Sequence, residues 1–171
     1  RIILVIMEFL INNDGKIIGI ISVVRDITSE KFAKDALYNS EKKYHSLFEN
    51  MLEGFALCKM IYDYNNNPVD FIYLDTNNSF SKLTGLKDVI GKKVTDIIPQ
   101  IKHLTPELFD IYGRVSTTGN PEKFEIDFKP LSIWLSISVY SPEKGYFIAV
   151  FDNITERKQI QQELISANQR L

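Results

Sequence analysis

Two stretches of this chain are spelled alike. Val23-Val24-Arg25-Asp26-Ile27-Thr28-Ser29-Glu30-Lys31 aligns with Val150-Phe151-Asp152-Asn153-Ile154-Thr155-Glu156-Arg157-Lys158, at an offset of 155 − 28 = 127 residues. In each, an apolar strand meets a polar elbow, then Ile-Thr, then a charged helix. A repeat at domain length implies tandem modules joined by helices. Only two strands precede the first elbow, so the sequence reads as the C-terminal hairpin of a preceding truncated domain (1–28), a linker helix (29–50), a complete domain (51–153) and a C-terminal coupling helix (154–171). The chain starts without Met inside a strand pattern and reads as a fragment of something longer.

The local signals fill in that outline. Ile2 to Ile11 and Lys16 to Val24 are β-rich runs around the hairpin signal Asn12-Asn13-Asp14-Gly15. From Asp26-Ile27-Thr28 to about Asn50 the pattern is helical, with Ala33, Leu37, Ser40, Tyr44 and Leu47 on one seam. Strands are expected at Phe55–Tyr62 and Val69–Leu74. Asn77 caps a short helix that ends at Gly85. Short helical turns follow, stopped by Pro99. Thr105-Pro106-Glu107 reads as a capped start of a longer helix with Leu108, Ile111, Tyr112 and Val115 inward, ended by Gly119-Asn120-Pro121. Three strands close the domain, the last of them, Tyr146 to Phe151, apolar enough to be central. Asn153 is placed to cap the exit helix with Glu156 three residues on, as in a capping box. Helices bunched between strands predict an α+β fold on an antiparallel sheet rather than a parallel α/β sheet.

Bulk chemistry narrows the function. A net charge of −2 gives no basic footprint for nucleic acid. The apolar run from Ile2 is interrupted by Glu8 and is too short to span a bilayer, which needs about 20 residues. One cysteine excludes an internal disulfide and suits a reducing, cytoplasmic compartment. There is no glycine-rich phosphate loop, no histidine pair at ligand spacing and no Ser/His/Asp order, so neither metal nor catalysis is expected of the fragment itself.

Several stretches resemble the PAS family of sensor domains. Asp26-Ile27-Thr28 and Asn153-Ile154-Thr155 are similar to the family's exit motif, the second with Asn in place of Asp. Ser40-Glu41-Lys42-Lys43-Tyr44-His45-Ser46-Leu47-Phe48-Glu49-Asn50 resembles the lead-in helix. Glu53-Gly54-Phe55-Ala56-Leu57 resembles the first strand, and Leu74-Asp75-Thr76-Asn77-Asn78-Ser79-Phe80 with Leu83-Thr84-Gly85 resembles the second strand and first helix. Tyr112-Gly113-Arg114-Val115, Gly119-Asn120-Pro121, Trp134 and Tyr140-Ser141-Pro142 resemble a subgroup common in microbial sensor kinases and cyclases. The resemblance covers nearly all of Ser40 to Lys158. It implies a five-stranded antiparallel sheet with short helices over one face, coupling helices at both ends, and a signalling role in a multidomain receptor such as a histidine kinase.

Candidate sites follow. Phe55, Leu57, Phe71, Phe80, Leu108, Ile111, Tyr112, Val115, Trp134, Ile137, Phe147 and Ala149 are candidates to line a pocket for a small apolar or aromatic ligand, against the plainer reading that they fill a core. Asp152, Asn153, Ile154 and Thr155 form a signal elbow. Leu37, Tyr44, Leu47, Ile160, Leu164 and Leu171 form the seam of a homodimer paired through the flanking helices. No cofactor is expected. Haem would need His103, which reads as a loop residue, and flavin photochemistry would need a helical Asn-Cys-Arg stretch, whereas Cys58 falls on a strand. His45 lacks the surroundings of a phosphoacceptor. Two alternatives stay open: a ligand-free dimerisation spacer, and a haem- or flavin-binding sensor.

Overall fold

The structure, a computed structural model, describes residues 1–169. The chain divides into two compact units, Arg1–Leu47 and Phe48–Leu171.

The first unit is an antiparallel hairpin, β1 (Ile3–Ile11) and β2 (Ile17–Asp26), followed by most of helix α1 (Thr28–Asn50). Its turn forms as the sequence predicts. Asn12 Oδ1 accepts from the amides of Asp14 and Lys16, and Gly15 takes φ 77°, which a side chain would resist. Both faces of the hairpin are apolar and exposed: Ile3, Val5 and Met7 on one, Leu4 and Ile6 on the other.

The second unit is built on β3 (Gly54–Tyr62), β4 (Pro68–Thr76), β5 (Glu122–Phe128), β6 (Ile133–Tyr140) and β7 (Tyr146–Asn153). The order is β4-β3-β7-β6-β5, with every pair antiparallel, so the apolar β7 is central. Helices α2 (Asn78–Thr84), α3 (Val94–Ile97), α4 (Ile101–Leu104) and α5 (Pro106–Thr118) connect β4 to β5, and α6 (Thr155–Gln169) leaves from β7. One buried cluster joins the sheet residues Phe71, Ile137 and Phe147 to Phe80, Leu108 and Tyr112 from the helices.

Asn77 explains how β3 is fixed to α2. Its Oδ1 accepts from Phe80 N (3.0 Å) and Phe55 N (2.9 Å), while Nδ2 donates to the carbonyls of Phe48 and Glu53. Gly85 then closes α2 in the left-handed conformation, φ 75°.

Two helix starts differ from expectation. Thr105 does not cap α5 through its side chain; its hydroxyl donates back to Ile101 O at 3.1 Å, because the short α4 runs directly into it. Helix α6 begins at Thr155, which puts Glu156 one residue too early for a capping box. Asn153 Oδ1 instead accepts from the Thr155 amide two residues on, an Asx turn.

The two hairpins of the chain share one ladder. Ile3 to Glu8 pair with Asp26 to Ile21, and Leu135 to Tyr140 pair with Asn153 to Ile148, residue for residue. The β2–β7 offset is the repeat offset of 127, whereas the β1–β6 offset is 135 − 3 = 132. The length difference is thus absorbed in the loops.

Candidate functional site

Between the sheet and its helices lies a cavity of about 50 Å³. Seven of the expected residues line it: Phe71, Phe80, Leu108, Tyr112, Ile137, Phe147 and Ala149. The other five do not. Strand β3 turns Gly54, Ala56, Cys58 and Met60 inward, so Phe55 and Leu57 fall on the outer face of the sheet, where Phe55 meets Phe48 edge-on at 4.8 Å. Gly54 sets that phase: a Cβ there would sit 2.4 Å from the Phe151 ring. Trp134 is likewise on the outer face, because its neighbours Leu135, Ile137 and Val139 point inward. Val115 is fully buried without lining the cavity, and Ile111 is half-buried at the core's edge.

Residue-level reasoning missed Cys58 and Tyr73, which line the cavity together with Ala56 and Phe151. The glycine at position 54 was the available signal, since the side-chain period of a strand is two. Burial pushes the Cys58 thiol and the Tyr73 and Tyr112 phenols well up from their ordinary values, and for both phenols the nearby Cys58 adds to the effect. All three are therefore neutral at physiological pH. Tyr112 stacks on Phe147 at 4.4 Å, and Phe71 packs edge-on to Tyr73, Tyr112 and Phe147.

The elbow is held by a small network. Thr155 Oγ1 donates to Asn153 Oδ1 (2.6 Å) and accepts from Trp134 N (2.9 Å), while Ile154 N donates to Trp134 O (2.8 Å). One step out, Glu125 on β5 receives Arg157 (2.5 Å) and Lys158 (2.6 Å), and Lys158 Nζ lies 4.8 Å over the Trp134 ring. These bonds, first that from Lys158, hold the Glu125 carboxyl below its ordinary value. Asp152 is exposed and stands outside the network. The first unit repeats the arrangement: Thr28 Oγ1 donates to Asp26 Oδ1, Ile2 N donates to Thr28 Oγ1 (2.7 Å), and Ile27 N donates to Ile2 O (3.0 Å). Asp26 there also pairs with Arg1 at 2.8 Å, a contact that the neutral Asn153 does not reproduce.

Neither a family model nor a curated protein sequence matches the chain. Solved structures do. An RNA-binding light-oxygen-voltage receptor superposes with a TM-score of 0.52 at 16% identity, over 76% of this chain and 38% of that one. The PAS domain of a Colwellia psychrerythraea protein gives 0.44 at 14% identity, over 67% and 97% of the two chains. The PAS domain of BvgS from Bordetella pertussis gives 0.40 at 17%, over 80% and 98%. The fold is PAS-like.

The PAS-like sheet thus carries its cavity on one face and its elbow at the end of the central strand. The expected seam residues Leu37, Tyr44, Leu47, Ile160 and Leu164 are all exposed on their helices; Leu171 lies outside the described residues. His103, expected in a loop, sits on α4 and is exposed; it does not itself line the cavity, although Ile101 on the same helix does, and His45 is exposed on α1. Among the described residues no cluster of His, Cys, Asp and Glu could hold a metal, and no helix is long and apolar enough to cross a membrane.

Proposed function

We propose that this chain is a sensor or relay module of a multidomain signalling receptor, with a histidine kinase as the favoured parent. In this reading residues 51–153 are the sensing domain and 154–171 the coupling helix. Residues 1–28 are the end of a preceding PAS-like domain, joined through the linker helix 29–50. The fragment performs no catalysis of its own; a small ligand in the cavity, or a partner on the sheet, changes the sheet, and the change turns the exit helix. The module acts in the cytoplasm as a homodimer.

The observation that carries this reading is the wiring of α6. Its first turn is bonded to β6 through Thr155 and to β5 through Glu125, so a displacement of either strand reaches the helix directly. Beyond that turn α6 is exposed, with Ile160 and Leu164 one turn apart on a single face. An isolated helix of this length is marginal in water, so the face calls for a partner helix. The repeated hairpin ladder and the repeated elbow network support the tandem arrangement.

Sedimentation of the purified chain tests the pairing. We expect a concentration-dependent dimer that Leu164→Glu shifts to monomer. A monomer throughout, or a dimer indifferent to that change, counts against the relay.

A further inference from the structure

Two phenols in the core bond to nothing among the described residues. Tyr73 and Tyr112 are 7% and 5% exposed, and both line the cavity. Neither hydroxyl has a hydrogen-bond partner among the described residues. Other polar side chains buried as deeply are bonded: Asp70 accepts from Thr95, Ser116 pairs with Tyr62, and Thr105 reaches Ile101 O. Among the described residues no fully buried side-chain oxygen lacks a partner, so each phenolic hydroxyl keeps some accessible surface, and both side chains line the cavity. A buried hydroxyl left without a partner is costly, which makes an occupant that bonds to it favourable.

The rest of the lining sets the occupant's character. No Lys, Arg, His, Asp or Glu lines the cavity. The phenols and the Cys58 thiol are kept neutral by burial. A charged guest would meet no counter-charge and would lose its hydration. Phe71, Phe147 and Ala149 offer only hydrocarbon. The volume of about 50 Å³ is several times the roughly 10–15 Å³ that one water needs, so the guest is small.

We propose that the cavity binds a neutral molecule of about five non-hydrogen atoms, hydrocarbon over most of its surface, whose single oxygen hydrogen-bonds with Tyr73 and Tyr112. This deepens the sensing reading and rests on it only for the signalling consequence.

Three probes of equal size separate the terms: butan-2-one, cyclopentane and propionate. Each is titrated into the whole chain while the methyl resonances of Ala56, Ala149 and Ile137 and the emission of Trp134 are followed. We expect saturable shifts with butan-2-one, weaker binding of cyclopentane and none of propionate. Tyr73→Phe and Tyr112→Phe each weaken butan-2-one about 5- to 10-fold, as loss of a neutral hydrogen bond does, and leave cyclopentane within about twofold. Both variants keep the ring, so the fold survives the test. No saturable binding of butan-2-one overturns the proposal, as does cyclopentane or propionate binding equally well, or indifference to both Phe variants. Binding with Trp134 unmoved upholds the site and counts against the relay. Absence of binding overturns the site and leaves the helix-pairing test of the relay intact.

Discussion

Trp134, the second residue of β6, holds Thr155: its amide donates to Thr155 Oγ1 at 2.9 Å while its carbonyl takes the Ile154 amide at 2.8 Å. One strand residue therefore fixes both residues through which the sheet becomes a helix. The Thr155 hydroxyl and the Ile154 amide together tie the start of α6 to β6.

Thr155→Val tests that hydroxyl. The isosteric methyl removes the bonds to the Trp134 amide and Asn153 Oδ1 at a half-buried site, and losing an ordinary hydrogen bond costs about 0.5–1.5 kcal/mol. We expect a drop of that order in urea-unfolding stability, and near wild-type behaviour for Thr155→Ser, which keeps the oxygen.

Acid should loosen the same junction. The Glu125 carboxyl is held below its ordinary value of 4.5, first by Lys158. A carboxylate with a lowered folded-state value contributes stability above the ordinary value and loses it as pH falls through the lowered one. Glu125→Gln should therefore lower the unfolding midpoint at pH 7, with the difference closing as pH falls below 4.5 and through the lowered value, and shrinking in high salt. Trp134 emission, with Lys158 over the ring, provides the local readout.

Gly113→Ala should destabilise despite lying inside α5. In an open helix the change gains about 1 kcal/mol. Here the new Cβ would stand 2.5 Å from Pro68 Cγ and 2.6 Å from its Cβ, on a ring that cannot turn away. Overpacking costs about 1–3 kcal/mol, so the clash wins. Thermal unfolding of the variant reads the sign; a gain in stability would show that β4 yields freely at Pro68.

The paired hairpins make an internal control. They share a ladder, but Ile137 and Val139 of β6 are buried while Val5 and Met7 of β1 are exposed. Hairpins without a covered face are marginal. Amide exchange in β1–β2 should run at least about a hundredfold faster than in β6–β7. Equal protection would mean that the first hairpin is covered in solution.

Turns and caps were legible in the sequence because they act locally. Asn12 and Gly15, Asn77 and Gly85, and Gly119 each do what their spelling implies. The order of strands and helices implied the α+β architecture with an antiparallel sheet. The face of β3 was less legible: the larger Phe55 and Leu57 are the more obvious core candidates, yet the phase fixed by Gly54 against Phe151 turns the small Ala56 and Cys58 inward to the cavity. Trp134 misleads for the same reason, since its apolar bulk lies under a lysine on the outer face rather than in the core. The hydroxyls of Tyr73 and Tyr112 could not be placed by pattern at all, because what they lack depends on side chains from β3, α5 and β7.

Because β2 and β7 present one ladder twice, β3 has two segments that could claim its edge. Strand β2 leaves the ribosome before β3, and β7 only after about ninety further residues have been made. A β2–β3 pairing made in that interval would have to come apart before β7 could take its place beside β3.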